Sequence, residues 1–240
     1  MHLSQLYSKT KLDLLLAILA LILLWVMLAS SSDPLLPTLE GTPLAAAFEQ
    51  FRTGNQIAFD LSVGALSAIG MFYLLVRLPE YERKNRIKRH LQASYKSFKQ
   101  SIIQIFVGAV QGSYNSEIIE RLMDQKQFRE FFKEPHVPGQ NKWHGVANKM
   151  DAFMLRQIVL EAEVLHGEFQ HALSIIDLKD QEVFAFMKHF SSALYRAKNW
   201  SSDYDGTKEV LGFFWSLFAG WSFVDGYSDR EFLPDMISKL

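Results

Sequence analysis

The hydrophobic pattern changes character along the chain. Residues 14–29 form an unbroken run of 16 apolar side chains, ten of them Leu or Ile. Residues 57–76 form a second apolar run, interrupted only by Asp60 and small polar side chains. About 20 residues at 1.5 Å each cross the roughly 30 Å hydrocarbon core of a bilayer. The pattern therefore predicts two transmembrane helices, about 12–32 and 57–77, joined by an outer loop at 31–56. Pro34, Pro37 and Pro43 rule out a continuous helix in that loop. Pro43 can start a short surface helix with Leu44, Ala47, Phe48 and Phe51 on one face.

Beyond Pro79 the period shortens to three and four residues. Ile87, Leu91, Tyr95 (or Ser94), Phe98, Ile102, Ile105 and Phe106 mark one buried stripe of a long helix. Helical patterning continues from Ser116, with Leu122, Met123, Phe128, Phe131 and Phe132 inside. Pro135, Pro138 and Gly139 place a loop at 134–142. Residues 143–176 read as one long helix. Asp180 is the expected N-cap of the next, through Phe184, Met187, Phe190, Leu194 and Tyr195. Residues 201–206 read as a turn, with Thr207 capping a last apolar segment. No alternating run predicts a sheet. The expected fold is all-α: an N-terminal two-helix transmembrane hairpin (1–78) and a C-terminal cytoplasmic helical domain (79–240).

Charge orients this layout. Residues 77–99 carry eight basic and two acidic side chains, whereas residues 100–240 carry 14 basic and 19 acidic. The membrane-proximal Arg77, Arg83, Lys84, Arg86, Lys88 and Arg89 mark the cytoplasmic side, so both termini are expected there. Attraction to anionic lipid headgroups accounts for this run; docking of an acidic partner or RNA is the alternative. A mildly acidic distal domain argues against sequence-specific nucleic-acid binding. A cleavable signal peptide ending near Ala29 is the rival reading of the first run. Its length, its Leu-rich core and Trp25 near its outer end favour an uncleaved helix. The chain has no cysteine, which excludes disulfides, cysteine nucleophiles and thiolate metal sites.

Three places merit a functional reading. The second apolar run holds Ala58, Ser62, Gly64, Ala65, Ser67, Ala68 and Gly70, small residues that let helices approach closely. Asp60, Gly64, Ser67 and Met71 share one helical face. That face packs either on the first helix or on a second copy, with Asp60 and Ser67 lining a polar seam or pore. Residues 210–224 are dense in aromatics. Phe213, Phe214, Trp215, Phe218 and Trp221 suit a core helix, a partner contact or a membrane interface. The third place holds Glu-x-x-His twice, as Glu163/His166 and Glu168/His171, near Glu161. Five residues separate the motifs, about 140° of helical rotation, so they cannot jointly enclose one dinuclear site without another chain, and solvated helix faces are the expected reading. No cofactor is expected. Trp143-His144 can line a cleft, but no nucleophile motif or phosphate loop accompanies it.

A two-helix membrane hairpin, the Arg83-Lys84-x-Arg86-x-Lys88-Arg89 run and a helical domain without enzyme motifs together resemble the two-transmembrane effectors of bacterial antiphage systems, particularly those encoded with retrons. The resemblance lies in layout. It implies an inner-membrane toxin whose cytoplasmic domain is restrained by a protein or ribonucleoprotein regulator, such as a reverse transcriptase with its RNA–DNA product. Release then lets the helices self-associate and damage the membrane. A membrane anchor recruiting a cytoplasmic partner is the alternative, followed by a membrane-bound metalloenzyme using Glu163, His166, Glu168 or His171.

Overall fold

The structure, a computed structural model, describes residues 3–31, 53–176, 180–228 and 230–240. It is all-helical apart from two short two-stranded ladders. The surface helix expected at Pro43 lies outside the described residues. The chain divides into two compact units, Met1–Arg83 and Lys84–Leu240.

The first unit pairs α1 (Leu3–Ser30) with α2 (Gln56–Phe72). The pairing is antiparallel. Thr53 N–H donates to the Ala29 carbonyl (2.9 Å) at one end, and Asp13 meets Arg77 at the other. Asn55 caps α2 by accepting from the Ile57 and Ala58 amides, which satisfies donors a helix start leaves orphaned. Two segments, Leu12–Ser30 and one within Gln56–Gln111, are long and apolar enough to cross a membrane.

The sequence places a boundary at Pro79, but the helical backbone runs through it, from Gln56 to Gln111. A five-residue π-helix, Tyr73–Arg77, precedes α3 (Leu78–Gln111). A proline inside a helix lacks an N–H and its ring crowds the carbonyl four residues back. Widening the preceding turn relieves that crowding without ending the helix.

The second unit is built around residues 84–111 of α3. Leu91, Tyr95, Phe98, Ile102, Ile103, Phe106 and Val107 are buried there, matching the expected stripe except that Ile87 and Ile105 are only partly covered. Around them lie α4 (Ser116–Leu122), α5 (Gln125–Lys133), α6 (Lys142–Lys149), α7 (Ala152–Ile175), α8 (Gln181–Arg196), α9 (Tyr204–Ala219) and α10 (Phe232–Ser238). Asn115, Asp124, Asn141, Asp151, Asp180 and Asp203 cap α4 to α9 in turn. These short acceptors both satisfy the first amides and stop the preceding segment.

Two expectations are corrected here. Residues 143–176 are two helices, because Met150 turns extended and Asp151 starts a new cap. Asp203, not Thr207, caps α9. The helix begins inside the expected turn, and Thr207 is buried within it. The ladders β1 (Pro135–Val137) with β2 (Gln140–Asn141), and β3 (Trp221–Ser222) with β4 (Gly226–Tyr227), were not expected. Strands of two or three residues carry no alternation to read.

Candidate functional site

On α2 the packing side is set by side-chain size. Ser62 is buried and bonds back to the Ala58 carbonyl (2.7 Å). Ala58, Ala65, Ile69 and Phe72 are half-buried beside it, toward α1. Asp60, Gly64, Ser67 and Met71 are all exposed. The reading in which these four pack on the first helix is therefore corrected: they form the opposite, uncovered face. Asp60 is held by its neighbour, Gln56 Nε2 donating to Asp60 Oδ1 at 3.1 Å. A side chain built at Gly64 meets nothing within 4 Å.

A second feature of this unit escaped the sequence reading. Arg77 Nη2 reaches Asp13 Oδ1 at 2.7 Å, and its Nη1 lies 3.6 Å from Glu80. Its guanidinium also stands 5.7 Å from the Phe72 ring centroid. Tyr73 donates to the Asp13 carbonyl (3.4 Å). The π turn thus carries both residues that tie the end of α2 to Asp13. Of the basic run, Arg77 is spent on this clasp.

Other members of that run also have internal partners. Within the second unit Lys84 donates to the Leu240 carbonyl (3.4 Å), and Lys88 donates to the Ser238 carbonyl. They hold the C-terminal helix. Arg83, Arg86 and Arg89 remain exposed. Lys99, counted with the run by sequence, is only 2% exposed. Its ammonium donates to Glu231 Oε1 (2.5 Å) and the Met123 carbonyl (2.7 Å). Burial, and then the Glu231 carboxylate, push the nearby Tyr95 hydroxyl well above the usual phenol range. Glu231 stands at the N-cap of α10 without capping it, because its side chain is turned to Lys99.

Residues 210–224 do not form one helix. α9 ends at Ala219, and Gly220 adopts φ 64°, the left-handed conformation that glycine tolerates. Phe214 and Phe218 are fully buried, so neither can meet a partner directly. Phe213, Trp215 and Trp221 are half-buried. Trp215 and Trp221 join Trp143, His144, Tyr204 and Lys208 around a cleft of about 560 Å³. Trp143 and Trp215 rings lie 4.9 Å apart at 52°. The sequence expectation that Trp143-His144 lines a cleft matches this placement. His144 is held by a reciprocal cap: Asn141 Oδ1 accepts from His144 N (2.9 Å), and His144 Nδ1 accepts from Asn141 N (3.4 Å).

Asp203 lies at the cleft mouth, with Tyr204 beside it. The Gly206 amide, then the Ser201 hydroxyl, hold its carboxyl below the usual carboxylate range. A lowered folded-state pKa contributes stability above the ordinary carboxylate value of about 3.9, lost as pH falls through the still lower folded value. Asp203→Asn, which also caps, is thus expected to match the wild type at neutral pH and to lose less stability below about pH 4. Thermal unfolding across an acid series checks this; parallel curves would remove the assignment.

The two Glu-x-x-His motifs point to separate structural contacts. Ser191 ties His166 to α8, its carbonyl 2.8 Å from Nδ1, while Gln170 donates to the Ser191 hydroxyl (3.0 Å). Glu168 meets His90 at 2.8 Å and Glu163 meets Lys198 at 3.5 Å. Among the described residues no three His, Asp or Glu side chains converge as metal ligands. Comparison with protein-family models, curated proteins and solved structures finds no match.

Proposed function

We propose that this chain is a bacterial inner-membrane effector, a partner-restrained toxin that perturbs the membrane in antiphage defence of the retron type. The carrying observation is the apolar surface that the paired α1 and α2 and the following π turn leave uncovered. Leu14, Leu15, Leu21, Ile22, Leu61, Leu74 and Leu75 are more than half exposed within the chain. Lipid is the cover this reading gives that surface. In lipid no hydrophobic force joins helices, so association falls to small residues and polar groups. Asp60, Gly64 and Ser67 supply both on the side that α1 leaves open. Two or more copies then meet through that face. The Arg83, Arg86 and Arg89 charges keep the second unit in the cytoplasm.

The cleft at Trp143, Trp215 and Trp221 supports the alternative, an anchor that presents a cytoplasmic docking site. The two readings part on one experiment. Induced expression in a bacterium, followed with a voltage-sensitive dye, is expected to depolarise the membrane. Gly64→Leu and Ser67→Leu are expected to abolish depolarisation while the protein stays in the membrane fraction. The added Gly64 side chain has open space within the chain, so its effect reports contact between copies. Unchanged depolarisation in both variants would overturn the assembly face. A normal potential with native protein in the membrane, even under phage challenge, would favour the anchor.

A further inference from the structure

The most exposed large apolar side chains described in the chain are not on the apolar helices. They are Phe223 (93%) and Val224 (90%), at the tip of the β3–β4 hairpin. We infer that this tip is a second membrane contact, inserting Phe223 and Val224 into the interfacial zone of a phospholipid bilayer. The inference rests on the membrane reading above, since a domain already tethered to a bilayer needs only a weak contact to engage it.

Three observations select lipid as the occupant. First, one side chain pairs two of the turn's amides. Ser222 Oγ accepts from the Val224 amide (3.1 Å) and the Asp225 amide (3.4 Å). Backbone donors entering lipid lose water as a partner, and these two keep one inside the turn. Second, the stem is ordered from α5 by residues one turn apart. With its amide oriented to satisfy both partners, buried Gln125 accepts from the Gly220 amide (3.1 Å) and donates to the Ser228 carbonyl (2.9 Å). Arg129 Nη1 donates to the Ala219 and Ser228 carbonyls (3.3 and 3.0 Å). A Cβ at Gly220 would collide with Gln125. The tip is thus pre-positioned, which lowers the ordering cost of insertion.

Third, the chemistry is layered along the hairpin. Apolar side chains occupy the tip. Trp221 and Tyr227 flank them at paired positions of the ladder, as aromatic side chains do at headgroup level. The Trp221 ring touches Phe223 at 4.3 Å. The exposed Lys133 stands 4.2 Å from the Tyr227 ring, placing a cation on the stem where lipid phosphates would lie. Asp225, beside Val224, limits the contact to shallow insertion, because a carboxylate stays in the headgroup layer. A protein partner would need a broader anchor than two side chains on a convex turn.

The absence of native cysteine permits a clean test. Full-length Val224→Cys, labelled with an environment-sensitive nitrobenzoxadiazole, is reconstituted in phosphatidylethanolamine and phosphatidylglycerol vesicles. Relative to detergent micelles, the emission should shift to the blue. Quenching by iodide on both sides should fall several-fold, and lipids spin-labelled near the headgroup should quench. Adding Phe223→Ser should reverse all three; Lys188→Cys, on an exposed face of α8, should show none. A label that iodide quenches equally in vesicles and detergent overturns the inference. Shielding from iodide without quenching by lipid also overturns it, since protein then covers the tip. Alkaline carbonate extraction separates the two proposals: an extracted chain defeats the membrane-spanning reading whatever the label reports, whereas a resistant chain with an aqueous label defeats only the hairpin contact.

Discussion

Glu231→Ala is expected to destabilise the second unit by about 3–5 kcal/mol, because it strands the Lys99 ammonium in the core without its carboxylate. Lys99 is 2% exposed, 5.8 Å from the Phe218 ring centroid, and keeps the Met123 carbonyl as its acceptor. The Glu231 side chain is 36% exposed, so part of the pair is solvated and the lower end of that range applies. For a unit of this size, roughly 3 kcal/mol lowers Tm by about 6–12 °C. Lys99→Met should cost less, about 1–2 kcal/mol, since the freed carboxylate can turn to water and the apolar chain fills the space. Thermal unfolding of the full chain in detergent measures both. Equal losses would mean that packing, not charge compensation, holds this site. Glu231 precedes α10, whose far end meets Lys84 and Lys88. Its loss should therefore also raise proteolytic cleavage near the C-terminus.

The second large effect is at Phe214. Phe214→Ala is expected to cost about 3–5 kcal/mol, the range for emptying a fully buried phenylalanine site. Its ring lies 5.4 Å from Phe106, 5.4 Å from Phe218, 6.1 Å from Phe98 and 5.9 Å from Trp200. Phe98 and Phe106 lie on α3 and Phe218 on α9, so three of the four cannot close in without moving a helix. Trp215→Ala, at the cleft wall, should cost less, about 1.5–3 kcal/mol. The pair of variants separates the two roles that adjacent aromatics share in the sequence. Phe214 keeps the core intact, and Trp215 shapes the cleft. If Trp215→Ala unfolds the chain as readily as Phe214→Ala, the cleft wall is core as well, and its use as a docking surface falls.

Much of the helix pattern was legible because burial follows period. Leu91, Tyr95, Phe98, Ile102 and Phe106 recur on one face and are buried there. Asp180 was legible as a cap because a short acceptor before an apolar run has one economical use. Thr207 failed by the same logic, since Asp203 stands one turn earlier and competes for the same amides. The break at Met150–Asp151 was missed because apolar spacing persists across it, and a two-residue interruption hardly disturbs the period.

The candidate sites divide differently. Length and hydropathy alone mark two helices long and apolar enough to cross a membrane, and counting Lys and Arg marks the charged flank. Both are sums along the chain, so they need no tertiary contact. Which face of α2 stays open depended on where α1 packs, and the small residues Ser62 and Gly64 look alike until that contact is made. Lys99 looked like one more surface cation until Glu231, 132 residues away, came beside it. The aromatic run at 210–224 was divided by Gly220, whose left-handed backbone ends α9 and whose close contact with Gln125 comes from α5. The sequence by itself determined the apolar spans, the charge asymmetry and the helical character, since these are local and additive. Only the tertiary structure decided which side chains are core, clasp, cleft or exposed tip, because that choice rests on pairs of residues far apart in the chain.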